Sequence, residues 1–231
     1  MTKHSIVADS SRPAKAAPPM DDDSGPHPLR GAEFVIGAAA PSQLPLEGAP
    51  EIAFAGRSNA GKSSAINALA LRTRLAFASR TPGRTQQINL FSLRSGALVA
   101  DLPGYGYAAV AKNIKQVWQD FLWHYTTTRS TLIALVLVVD SRHGLKDSDL
   151  VLLRGYVPSE RPVLILATKA DKLTMTEQRR SLKDILGQLQ QAFPTGGGNI
   201  EVQLFSASSR QGVPEAERAI SRWLPEAPPE P

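Results

Sequence analysis

The string Gly56-Arg57-Ser58-Asn59-Ala60-Gly61-Lys62-Ser63 constrains this chain more than any other stretch of it. It is a complete G-x-x-x-x-G-K-S phosphate-binding loop. It follows the apolar run Ile52-Ala53-Phe54-Ala55 and opens into Ser64-Ala65-Ile66-Asn67-Ala68-Leu69-Ala70-Leu71, which reads as a helix. A strand delivers the chain to the loop, glycines let backbone N–H groups approach phosphate oxygens, and the helix N-terminus adds partial positive charge. Lys62 can reach β- and γ-phosphates, and the Ser63 hydroxyl can ligate the magnesium that accompanies them.

The remaining composition narrows the class. A chain of 231 residues with 42% hydrophobic content can bury one sizeable core. It contains no cysteine, which excludes a disulfide framework, a thiol nucleophile and a cysteine metal site. The longest apolar run, residues 132–139, has strand length and is too short to cross a bilayer. With no compact apolar stretch at the N-terminus, the reading is a cytoplasmic protein with no membrane partner. A net charge of +5 favours a polyanionic partner, nucleic acid being the commonest.

Residues 1–28 are rich in Pro, Ala, Ser and Asp and read as a disordered arm, with Asp21-Asp22-Asp23 a solvated run within it. Residues 225–231 read as a second frayed tail, leaving 29–224 as the folded domain. Strand-like runs fall at 33–36, 51–55, 87–93, 97–101, 132–140, 162–168 and 200–206. Helices fit at 62–71, 112–128, 146–157, 175–192 and 213–224. Continuous apolar strands suit a parallel sheet covered on both faces. The hairpin-length link Arg94-Ser95-Gly96 adds one antiparallel edge strand to a mostly parallel sheet. The expected fold is a three-layer α/β P-loop domain with its chemistry at the carboxyl ends of the strands. Within 112–128, Ile114, Trp118, Phe121, Leu122 and Tyr125 share a core stripe, and Trp123 falls off it.

A phosphate loop does not by itself choose between adenine and guanine; the later strand ends do. Run 97–101 ends in Asp101-Leu102-Pro103-Gly104, placing a carboxylate where it can hold a magnesium-bound water and the Gly104 N–H where it can face a γ-phosphate. Run 162–168 ends in Thr168-Lys169-Ala170-Asp171. The Asp171 carboxylate can accept from guanine N1–H and the 2-amino group, donors that adenine does not offer on that edge. The Lys169 stem can lie along the base. The last strand runs through Phe205-Ser206-Ala207 to Ser208, where a backbone N–H can donate to guanine O6.

At this point the chain resembles the EngB family of bacterial ribosome-biogenesis GTPases, within the translation-factor class. The resemblance rests on the phosphate loop through Ser64, on Thr81-Pro82-Gly83-Arg84-Thr85-Gln86, and on Asp101-Leu102-Pro103-Gly104-Tyr105-Gly106-Tyr107-Ala108. Asp140-Ser141-Arg142-His143 and Thr168-Lys169-Ala170-Asp171 fit it too. It implies a Ras-like G domain that binds GTP and GDP with magnesium and acts as a switch in large-subunit (50S) assembly. A monomer is expected, and the family carries a link to cell division and septation. By the same resemblance Thr85 completes the magnesium shell together with Ser63 and Asp101, and Gly83 and Arg84 belong to the first switch loop.

Two departures from the commonest GTPase pattern matter. Thr168 stands where many GTPases have Asn, an amide that braces the phosphate loop; with Thr the brace is expected to be lost. Tyr105 follows Gly104 where Ras-like enzymes carry a water-orienting Gln, so slow hydrolysis is expected, with Lys62, Thr85 and Gly104 around the reacting phosphate. In related GTPases lacking that Gln, an Asn at the position of Asn59 helps bind potassium; a loop-stabilising Asn is the competing reading. Two alternatives to a GTPase switch stand: a nucleotide-dependent interaction module with negligible hydrolysis, and a P-loop nucleotide kinase.

Overall fold

The structure, a computed structural model, describes residues 27–45, 48–76, 87–105, 112–194 and 199–226, with 112–119 described as backbone. The strands are β1 (Glu33–Ala38), β2 (Glu51–Gly56), β3 (Ile88–Ser92), β4 (Leu98–Asp101), β5 (Leu132–Asp140), β6 (Val163–Thr168) and β7 (Ile200–Leu204). The helices are α1 (Lys62–Leu69), α2 (Lys112–Thr128), α3 (Asp147–Tyr156), α4 (Met175–Ala192) and α5 (Val213–Ser221). Each was expected from the hydrophobic pattern, with ends that differ by up to three residues where strands and helices give way to turns.

All seven strands form one sheet in the order β1-β3-β4-β2-β5-β6-β7. Antiparallel pairing is confined to one edge, where β3 runs against both β1 and β4. The turn between β3 and β4 closes with Gly96 N–H donating to the Leu93 carbonyl at 3.0 Å. The other pairings are parallel. β2 lies between β4 and β5, so the chain leaving β2 crosses to one side and later returns to the other. That reversal opens a crevice beyond the strand ends, the usual ligand position in open α/β sheets.

Strand alternation splits the core in two. Ile52, Phe54, Ala134, Val136, Val138, Leu164 and Leu166 face α1 and α5. Ala53, Ala55, Leu135, Leu137, Val139, Val163, Ile165 and Ala167 face the other way, toward α2, α3 and α4. Since neither face meets water, both registers are apolar, which is why these strands read as continuous runs. Phe121 and Tyr125 of α2 are buried and Leu122 is half-buried, whereas Trp123 lies 46% exposed against Gly155 of α3.

At the amino end of β2, Glu51 is a buried carboxylate with a full set of donors. Arg129 reaches both oxygens, the Tyr125 hydroxyl donates at 2.5 Å and the Thr131 hydroxyl at 2.9 Å. This cluster ties the end of α2 and the start of β5 to β2. It sits at the opposite end of the strand from the phosphate loop. Among the described residues no helix is long and apolar enough to cross a membrane.

Candidate functional site

The carboxyl ends of β2, β4, β5 and β6 and the loop after β7 meet on one side of the sheet. β2 ends at Gly56, and the loop returns through Asn59 and Gly61 to enter α1 at Lys62. Asn59 (φ 65°) and Gly61 (φ 100°) both take left-handed backbone, which turns the loop sharply enough to curl over the helix N-terminus. A side chain on Gly61 would also stand 3.3 Å from the Thr168 hydroxyl.

Asp101 closes β4 directly beside Phe54 of β2. Its side chain is 8% exposed and pairs with the Lys62 ammonium. Thus the cation that can bind phosphate and the anion that can bind hydrated magnesium already share one spot. Ser63 is half-buried on the first turn of α1. A hydroxyl and a carboxylate are hard oxygen donors of the kind magnesium takes, with its remaining positions filled by phosphate and water. Among the described residues there is no cluster of three or more His, Cys, Asp or Glu side chains suited to a metal held by protein alone.

Leu102 is buried in the core, Pro103 is half-buried and Gly104 is exposed. Gly104 packs so closely on Ser58 that a Cβ would lie 3.0 Å from its hydroxyl and 3.1 Å from its Cα. The Ser58 hydroxyl also donates to the Gly104 carbonyl at 3.3 Å. Ser64 is exposed on α1 and Arg57 is half-buried beside the loop.

Thr168 corrects an expectation. The brace to the phosphate loop is not lost with the Asn: the Thr168 hydroxyl donates to the Ala60 carbonyl, with the Val139 carbonyl 3.0 Å away as a second acceptor. A shorter side chain suffices because Ala60 is buried against β6. Lys169, also in left-handed backbone (φ 59°), adds a second tie. Its ammonium donates to the Asn59 carbonyl at 2.6 Å and to the Asp140 carboxylate at 2.8 Å. Burial pushes Asp140 upward, but the hydrogen bonds from Arg142 and Lys169 outweigh it and hold its carboxyl well below the usual range.

Ala170 is fully buried and its N–H donates to the Phe205 carbonyl at 3.2 Å. The Phe205 ring is wholly in the core, so only its backbone faces the loops. That stitch brings the two loops together: the Ser206 hydroxyl donates to Asp171 at 2.7 Å and Lys172 pairs with the other carboxylate oxygen at 3.2 Å. The Ser206 hydrogen bond, joined by Lys172 and Ser208, lowers the Asp171 pKa, so the group is an anion at neutral pH. Ala207 is half-buried beside it. Gly83, Arg84 and Thr85, with the rest of 77–86, lie outside the described residues, as do Gly106, Tyr107 and Ala108 and most of both expected tails.

Three participants were given no role from sequence. Asp140, the partner of Lys169, lies in one of the strings that fit the resemblance, and its place at the end of an apolar strand was a usable signal. Asp149 bonds the Tyr105 hydroxyl at 2.7 Å and nothing in local sequence foretells that contact. Asn67 also escaped: its amide bonds the backbone of Leu75 and Ala76, fixing the chain as it leaves α1.

Comparison with known proteins agrees with this arrangement. The family described as 50S ribosome-binding GTPase matches residues 51–169. A probable GTP-binding protein EngB of Azoarcus sp. is 48% identical over 196 residues, covering 85% of this chain and 92% of that protein. Its counterpart in Neisseria meningitidis serogroup B is 49% identical over 174 residues, covering 75% and 82%. A crystal structure of a probable GTP-binding protein EngB shares the fold with a TM-score of 0.57 at 20% identity, covering 74% of this chain and 97% of that one. Era bound to MgGDPNP and a segment of 16S ribosomal RNA shares it at 0.57 and 19% identity, covering 79% and 59%. With a phosphate loop, a strand-end carboxylate and the loops after β6 and β7 on one surface, this chain belongs to the EngB family of GTP-binding proteins and is a GTPase.

Proposed function

We propose that this chain is a GTP-controlled switch in the assembly of the large ribosomal subunit, hydrolysing GTP slowly. The observation that carries the reading is the junction of two recognition devices. Lys62 and Asp101 stand at the phosphate end, and Asp171 with Ser206 stands at the base end. Lys169 and Thr168 tie the intervening loop to the phosphate loop. In this reading the N–H groups of Gly56–Ser64 cradle the phosphates, Lys62 neutralises β- and γ-oxygens, and Gly104 N–H meets the γ-phosphate. Ser63 and Asp101, with Thr85, would hold magnesium, which would supply neutralisation of phosphate charge. Asp171 would take both donors of the guanine edge and the 206–207 backbone its O6.

The 50S-binding description of the family and the net charge of +5 support a large-subunit precursor as partner. A link to cell division and septation would follow at one remove, through ribosome supply. The test is recovery of 50S precursor particles by the protein loaded with a nonhydrolysable GTP analogue or with GDP. Analogue-dependent recovery supports the switch, and equal recovery in both states contradicts it.

A second reading concerns the rate. Among the described residues the Asn59 amide has no hydrogen-bond partner, and its exposed side chain projects from a backbone pinned by Lys169. Its oxygen is therefore available to a potassium ion beside the phosphates. Phosphate release in potassium and in sodium at equal ionic strength checks this; equal rates defeat it.

A further inference from the structure

Tyr105 occupies the position of a water-orienting glutamine, yet its hydroxyl is already committed to a partner on α3. The hydroxyl donates to Asp149 Oδ1 at 2.7 Å on the first turn of α3. Asp149 is 1% exposed, and its other oxygen accepts the Lys146 N–H at 2.8 Å, capping that helix. The Tyr105 backbone is also committed. Its N–H donates to the Gly56 carbonyl at 3.3 Å and its carbonyl accepts from the Ser58 N–H at 3.0 Å, forming a parallel bridge with Arg57. One residue earlier, Gly104 rests on Ser58. Burial pushes the Tyr105 hydroxyl well above its ordinary pKa, with Asp149 adding to the shift, so it remains a donor.

We infer that Tyr105 and Asp149 form a latch that positions Gly104 for GTP hydrolysis, with Asp149 on α3 acting through Tyr105. The inference rests on the reading of Gly104 N–H as the γ-phosphate contact. The physical basis is that Gly104 has no side chain with which to fix itself, and its amide must be aimed to within fractions of an ångström. Its neighbour supplies that aim through one side-chain anchor on α3 and two backbone anchors on the phosphate loop. Burial pushes the Asp149 carboxyl upward from its usual range, and the bond to the Tyr105 hydroxyl is screened from water, so it holds the corner over Ser58. Tyr105 is thereby a positioning residue, and α3 contributes to hydrolysis through it.

The test uses the full chain and the variants Tyr105→Phe, Asp149→Ala, their double and Gly104→Ala. It measures kcat and KM for GTP and equilibrium affinities for GDP and a nonhydrolysable GTP analogue. The latch predicts that Tyr105→Phe lowers kcat about tenfold or more and weakens the analogue while leaving GDP affinity unchanged. Adding Asp149→Ala to Tyr105→Phe should then lower kcat little further, because both remove one contact. Tyr105→Phe is the decisive variant, since Asp149→Ala also uncaps α3. Unchanged kcat in Tyr105→Phe, or equal losses of GDP and analogue affinity, overturns the inference when Gly104→Ala selectively weakens the analogue. If Gly104→Ala leaves analogue binding intact, the reading of Gly104 falls and the latch falls with it.

Discussion

The Thr168 hydroxyl and the Ala60 carbonyl form a hydrogen bond that joins the end of β6 to the phosphate loop. Both residues are buried, so neither group has water as an alternative. Thr168→Val keeps the shape and removes the donor, leaving the carbonyl unpaired. The expected result is a loss of about 1–3 kcal/mol in unfolding free energy and weaker GDP binding. Denaturant unfolding beside nucleotide titration measures both. Thr168→Ser, which retains the hydroxyl, should lose much less.

Lys62 and Asp101 neutralise each other with side chains 11% and 8% exposed. Incoming phosphate and magnesium would exchange these partners, the ammonium turning to phosphate and the carboxylate to the hydrated metal. Lys62→Met removes the phosphate contact and strands the Asp101 charge. Nucleotide affinity should fall at least about a hundredfold and thermal stability should drop. Added Mg–GDP, which stabilises the parent chain by binding only its folded form, should no longer raise the melting temperature.

The depressed pKa of Asp140 sets a pH signature. Its carboxylate contributes stability that is fully present above the ordinary aspartate value of about 3.9. That contribution is lost as pH falls from there toward the lowered value, because the unfolded chain takes the proton first. Acid unfolding should therefore be steeper below about pH 4 in the parent than in Asp140→Asn. At pH 7 the variant should be less stable and should release the Lys169 tie to Asn59, weakening nucleotide binding.

Glu51 offers the contrasting case of a buried charge remote from nucleotide. Glu51→Ala leaves Arg129, only 14% exposed, without its carboxylate. A destabilisation of about 3–5 kcal/mol is expected, with unchanged GDP affinity in the fraction that stays folded. Chemical unfolding and calorimetric titration separate the two effects. An affinity loss matching that of Lys62→Met would mean that this end of β2 is coupled to the site.

Most of the fold was legible because the sheet is covered on both faces. β5 and β6 read as uninterrupted apolar runs, and the phosphate loop marked where β2 must end. The positions of the candidate residues were legible where a strand ends in a polar residue, as at Asp101 and Thr168, and in the turn after β6 at Asp171. Contacts between elements distant in sequence were not. The Tyr105–Asp149 bond spans 44 residues and leaves no periodic trace. The brace at Thr168 was misread for a related reason: comparing side-chain types said that an amide was missing, while only packing shows that Ala60 comes close enough for a hydroxyl. Phe205 shows the converse, a residue at a site position whose ring belongs wholly to the core.

The central claim is that these strand ends select guanine through Asp171, a carboxylate that Ser206 and Lys172 hold as an anion. Equilibrium titration of GDP, ADP and xanthosine diphosphate against the parent chain and Asp171→Asn tests it most directly. The parent should bind GDP at least about a hundredfold more tightly than ADP. In Asp171→Asn, GDP should weaken by a similar factor and xanthosine diphosphate should gain, since an amide N–H can meet the oxygen that replaces the 2-amino group. ADP binding as tight as GDP in the parent, or GDP affinity unchanged in Asp171→Asn, would contradict the account.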